Sequence, residues 1–108
     1  MNVIIDFSIF PMDKGESVSA YASRAVKIIK ASGLAHHIGP MGTAIEGQWD
    51  EVIGVVGQCL EELQKDCDRL YMTMKVDYRK KGEPGRIAKK VKTVEKKSAQ
   101  NQTRKSER

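Results

Sequence analysis

Nowhere in this chain of 108 residues do apolar side chains run unbroken for the roughly 20 positions that a bilayer crossing needs. Its start, MNVIIDFSIF, lacks the basic opening and the small-residue cleavage site of an export signal and carries Asp6 inside its apolar stretch. A cytoplasmic protein with no membrane partner is expected. Cysteine is scarce: Cys59 and Cys67 are the only two, with no Cys-x-x-Cys spacing for zinc or redox work. Read on one helix, they lie about 12 Å apart along its axis, beyond the roughly 7 Å Cα limit for a disulfide, so they read as small core hydrophobes. The two histidines, His36 and His37, are adjacent. On a strand they point to opposite faces and cannot share a metal. Tyr71 alone does not make a base-stacking platform, and the carboxylate of Asp6 would repel phosphate. Gly-x-Ser-x-Gly, a phosphate-cradling loop with Lys-Ser/Thr and the dinucleotide fingerprint are all missing, so nothing demands catalysis or a cofactor.

What is present is charge, unevenly placed. From Met1 to Tyr78 there are 7 Lys and Arg against 11 Asp and Glu, a net charge of −4, whereas Arg79 to Arg108 carries 12 against 3, a net +9. An acidic folded part thus precedes a basic C-terminal region. That region has two readings, a solvated charged tail or an interaction module for nucleic acid or another acidic partner. The solvated tail is the commoner case, which places nucleic acid outside the expected partners.

The apolar residues show two periodicities. Val3, Ile5, Phe7 and Ile9 alternate with Asn2, Asp6 and Ser8, interrupted only by Ile4, which predicts a half-buried strand. Tyr21, Ala22, Ala25, Val26, Ile28 and Ile29 recur at helical spacing, with Ser17 or Ser19 to cap the helix and Gly33 to end it. LAHHI and GTAIE predict a hairpin reversing at Gly39-Pro40-Met41-Gly42. Trp49, Val52, Ile53, Val56, Cys59, Leu60, Leu63 and Cys67 form one stripe of a long helix, in which Gly54 and Gly57 mark either a closely packed neighbour or a tolerated cost. Leu70 to Asp77 alternates again. After the KKGEPG break, Ile87, Val91 and Val94 make a thin seam on a lysine-rich helix, and SAQNQTRKSER is polar enough to be disordered.

Strand, helix, strand, strand, helix, strand is the βαββαβ order of the ferredoxin-like α+β fold: a four-stranded antiparallel sheet, both helices on one face, here with a C-terminal helix added. Residues 1–97 form the domain and 98–108 a basic polar tail. In the usual spatial order 4-1-3-2, Asp6, Ser8, Thr73, Lys75 and Asp77 gather on the open face of the sheet. Asp6 stands on a central strand, where a carboxyl group is either paired, with Lys75 the nearest candidate, or available to a ligand. Glu46, at the end of the return strand, shares a face with Ala44; its placement and that of Thr43 depend on how Gly42 and Gly47 bend the chain.

The succession IIDFSIFP, ASGL, GPMGTAIEGQWDEV and MTMKVDYR resembles the small thiamine-binding proteins of ferredoxin-like fold found in bacteria, archaea and yeast. The resemblance covers about Met1 to Val94, and Pro-Met-Gly-Thr-x-Ile-Glu-Gly is its most specific part. It implies a non-catalytic protein that binds thiamine or its hydroxymethylpyrimidine part and assembles as a homotetramer, a dimer of dimers. Asp6 and Ser8 would then meet the pyrimidine's hydrogen-bonding edge, Thr43 and Glu46 would contribute from the glycine-rich strand, and Lys75 would hold a carboxyl group in place. Tyr78, where similar sequences commonly carry an acidic residue, and the basic extension after Lys97 depart from the pattern.

Overall fold

A computed structural model describes residues 1–15, 18–81 and 83–106, with side chains as far as residue 98. The alternation at the start becomes β1 (Asn2–Pro11), which sends Val3, Ile5 and Phe7 into the core. It is followed by α1 (Ser19–Ala31), β2 (Ala35–Ile38), β3 (Thr43–Gln48), α2 (Trp49–Gln64), β4 (Leu70–Tyr78) and α3 (Arg86–Ser106). The strands lie in the order β2-β3-β1-β4, all pairings antiparallel. This is the ferredoxin-like α+β fold the sequence predicts.

One face of the sheet is covered by α1 and α2. Val3, Ile5, Phe7 and Ile45 meet Ala25 and Ile29 of α1 and Val52, Val55, Val56 and Cys59 of α2, all buried. At about 25 cal/mol for each Å² of apolar surface removed from water, this cluster is the main source of stability. Asp50 and Glu51 in the first turn of α2 complement its dipole. The N-terminal ammonium donates to Gln48 Oε1 at 2.6 Å and Trp49 N donates to the Met1 carbonyl at 2.9 Å, fixing the edge of β1 to the start of α2.

Several local expectations change. The residue preceding α1 is Val18, with no side-chain cap, because Ser19 is already helical; Ser17 lies outside the described residues. Gly33 does end α1, with φ +74°, a value disfavoured for residues with a Cβ. Cys67 lies beyond the end of α2 rather than on it, and both cysteines are buried and free. Gly54 and Gly57 face open space, where an added Cβ would find no atom within 4 Å, so no close neighbour explains them. The C-terminal helix runs to Ser106, through most of the segment expected to be disordered; Lys, Ala, Gln and Arg are good helix formers even without an apolar face.

The third helix lies on the opposite face of the sheet from α1 and α2. Glu46 shares a rung of the sheet with Ile4 and Asp77, and its carboxyl group accepts from the backbone N–H of Arg86 (3.1 Å) and of Ile87 (3.2 Å). Two N–H groups at the start of α3 that have no intrahelical acceptor are thereby satisfied. Ile4, the one interruption in the β1 alternation, is only 7% exposed, and it lines the same cavity as Ile87 and Val91. The interruption marks where the added helix sits.

Candidate functional site: the open face of the sheet beneath α3

The pairing registers place side chains in rows across the sheet. One row runs through all four strands as His37, Ala44, Asp6 and Lys75. The row beside it runs Ala35, Glu46, Ile4 and Asp77. On the other side, Ser8 and Thr73 are paired with their hydroxyl oxygens 2.8 Å apart, and beyond them the Phe10 and Tyr71 rings lie 5.6 Å apart. Ile87, Lys90 and Val91 of α3 lie over the first two rows and border an open cavity of about 410 Å³, lined also by Ile4, Asp6, His37, Ala44, Lys75 and Asp77. A second, of about 460 Å³, opens toward the hairpin tip, again beside Asp6, Ser8 and Lys75.

Each sequence-predicted site residue now has a place. Asp6 and Lys75 are directly opposed, yet among the described residues no ion pair joins them within 4.0 Å. The side chain of Asp6 lines the cavity, and among the described residues neither a hydrogen bond nor an ion pair reaches its carboxyl group. Ser8 is next to it but engaged with Thr73. Thr43 is opposite Phe7 and turns with it toward the helix-covered face, so the structure does not bring it to the open face; it is offset by an odd number of positions from Ala44 and Glu46, which point to the open face. Glu46 is on the open face but only 4% exposed, both oxygens committed to α3. It holds the roof and does not face the cavity.

The glycines of the hairpin act through proximity. None of Gly39, Gly42 and Gly47 has positive φ. A Cβ on Gly42 would stand 3.1 Å from Asp6 Oδ1 and 3.2 Å from the Phe7 carbonyl oxygen, closer than ordinary contacts, and one on Gly47 would press on Val52 and Leu34 at 3.2 and 3.3 Å. Gly39 N donates to the Gly42 carbonyl at 2.8 Å, closing the turn.

Electrostatics tie the roof to the sheet. Lys90 Nζ donates to Asp77 Oδ2 at 2.7 Å, while Arg86 Nη1 and Arg79 Nε lie 3.6 and 3.8 Å from Oδ1. The Lys90 hydrogen bond holds the Asp77 carboxyl below its ordinary value of 3.8, against partial burial, which raises it. Sequence reasoning missed His37, Lys90 and the apolar pair Ile87 and Val91. His37 was placed correctly opposite in face to His36, whose Nδ1–H donates to the Leu34 carbonyl at 2.9 Å, but was tested only as a metal ligand. Among the described residues no group of three or more His, Cys, Asp or Glu is placed to hold a metal.

Fold and cavity together define a class: a ferredoxin-like domain whose open sheet face, roofed by an appended helix, presents a small, largely apolar cavity with a few charged groups at its wall. The family model for thiamine-binding proteins matches residues 5–95, and the chain belongs to that family. Its relatives include the UPF0045 protein MJ1052 of Methanocaldococcus jannaschii, 34% identical over 92 residues, spanning 85% of this chain and 91% of that one. A UPF0045 protein of Synechocystis is 36% identical over 96 residues, 88% of this chain and 78% of its own. The crystal structure of the M. jannaschii protein superposes with a TM-score of 0.78, covering 86% of this chain and 95% of that one at 33% identity. A Thermotoga maritima protein named as a candidate for thiamine biosynthesis or salvage has the same fold, with a TM-score of 0.76 and 22% identity over 87% of this chain and 99% of its own.

Proposed function

We propose that this protein binds thiamine, or its hydroxymethylpyrimidine part, in the cavity between the open sheet face and α3, without a covalent step and without a cofactor, as a carrier or sensor in thiamine salvage or homeostasis. The observation that carries this reading is the Asp6 carboxyl group, on a central strand, without a partner among the described residues, and in one row with His37, Ala44 and Lys75. An aminopyrimidine offers an exocyclic amine to a carboxylate and ring nitrogens to donors, and Asp6 and Lys75 supply one of each. Ile4, Ala44, Ile87 and Val91 give the ring apolar walls, and about 410 Å³ falls within the usual size of small-molecule sites. In this arrangement Ser8 acts through its pairing with Thr73, and Glu46 acts by holding the roof.

The proposal includes a homo-oligomer, a dimer of dimers. β4 is an edge strand whose Met74, Val76 and Tyr78 point to the helix side but remain uncovered, Val76 at 46% exposure. Isothermal calorimetry tests the ligand reading. Thiamine should bind the wild type, and Asp6→Ala should weaken binding by roughly one to two orders of magnitude, the cost of about 1–3 kcal/mol for one lost partner of a desolvated polar group. No heat with thiamine or the free pyrimidine ends the ligand reading, and equal affinity in the variant ends the assignment of this cavity.

A further inference from the structure

Beside the open-face cavity lies a second one of about 670 Å³, at the start of α3, lined by Arg79, Lys81, Glu83, Arg86, Lys89 and Lys90 among others. Five cationic side chains meet one acidic side chain there. Such a cluster is costly to assemble unless a counter-charge joins it. Besides Glu83 in the lining, the carboxyl group that pairs with these cations is Asp77, and it is already shared among Lys90, Arg86 and Arg79.

Arg86 makes the deficit specific. It is only 7% exposed, and its Nη2 makes long hydrogen bonds, 3.4 Å to the Asn2 carbonyl and 3.3 Å to the Asp77 carbonyl. Among the described residues its Nε and Nη1 make no hydrogen bond, and Nη1 has only the longer 3.6 Å approach to Asp77 Oδ1. Buried guanidinium donors are ordinarily satisfied, and the groups that suit their geometry are carboxylates and phosphates. The helix terminus does not provide this attraction, because Glu46 already occupies the N–H groups of Arg86 and Ile87. The positive potential comes from side chains.

Lys90 lines both cavities. The two cavities therefore adjoin at Lys90. We propose that the basic cavity at the start of α3 is a phosphate site, in which Arg86, Lys89, Lys81 and Arg79 take the phosphoryl end of a ligand whose organic part occupies the open-face cavity. For the identity of that organic part, and only for that, the proposal rests on the thiamine reading. The preferred ligand is then a phosphate ester of the bound compound rather than the free alcohol.

Calorimetry at fixed ionic strength with thiamine, thiamine diphosphate and inorganic pyrophosphate tests this on the chain of 108 residues, with the double variant Lys81→Gln/Lys89→Gln as control. The diphosphate should bind the wild type about tenfold or more tighter than thiamine, and the variant should bring the two together while leaving thiamine unchanged. Equal affinities for the two in the wild type, or a diphosphate preference that survives in the variant, overturns the proposal. Pyrophosphate binding that the variant abolishes, with no binding of either thiamine form, upholds the phosphate site and rejects the thiamine reading. Binding of thiamine alone, with neither phosphate compound bound more tightly, does the reverse.

Discussion

At Gly42 the difference between hydrogen and a methyl group decides where a carboxyl group sits. Gly42→Ala would bring a Cβ to 3.1 Å from Asp6 Oδ1 with the Phe7 carbonyl behind it, so Asp6 must shift. Ligand affinity should fall by about tenfold or more while the melting temperature moves far less than for a core truncation, which calorimetry and thermal unfolding check together. Gly54 gives the opposite case: an alanine there meets nothing, and Gly54→Ala should stabilise the chain by about 1 kcal/mol, raising the melting point by roughly 4–8 °C. Burial pushes the Cys59 thiol up to about 11, so alkylating reagents at neutral pH should leave it unmodified until the protein unfolds. The run from Gly39 to Gly47 is legible in sequence as a hairpin with some need for close approach. Which glycine meets which atom is not, because the Gly42 contact reaches back to residue 6 and depends on register, which the glycines themselves leave loosely specified. Thr43 shows the same gap: its face follows from pairing with Phe7, a long-range fact.

Among the elements, α3 is the one the sequence leaves without an address. Its seam of Ile87, Val91 and Val94 states that it packs but not where, and Ile4 on the polar side of β1 is the only complementary signal. The docking rests on two carboxyl groups. Removing the first, by Glu46→Ala, leaves the N–H groups of Arg86 and Ile87 without acceptors at a cost of about 1–3 kcal/mol, and hydrogen exchange at these two amides should quicken before the sheet loosens. The second, Asp77, supplies a pH dependence. Because its folded-state value lies below 3.8, the unfolded chain takes up the proton first, so its contribution is complete above 3.8 and disappears as pH falls through the lowered value. Exchange in α3 should accelerate across that acid window in the wild type, and Asp77→Asn should remove this part of the dependence. The four strands and first two helices, in contrast, are written plainly in alternation and stripe, since each buries one face against the other layer.

For the molecule as a whole, the edge at β4 makes the proposed assembly testable. Light scattering at micromolar concentration should give a multiple of the 12.1 kDa chain mass, and Val76→Glu, placing a charge at the uncovered edge, should shift the protein toward the monomer. A monomeric wild type would reject the assembly. Sheet order was legible from element order alone, whereas the exposure of Met74 and Val76 was not, because alternation tells which way a side chain points but not whether the helices reach that far. The sheet order also has a temporal side. β1 leaves the ribosome first and lies between β3 and β4, and β4 begins only at Leu70. During translation one side of the most apolar strand must wait, unpaired, until β4 has been made, and the row of residues 37, 44, 6 and 75 does not exist until that strand docks. No N-terminal fragment ending before β4 can carry the cavity, so a truncated nascent chain is at once ligand-blind and the form most exposed to edge-to-edge aggregation.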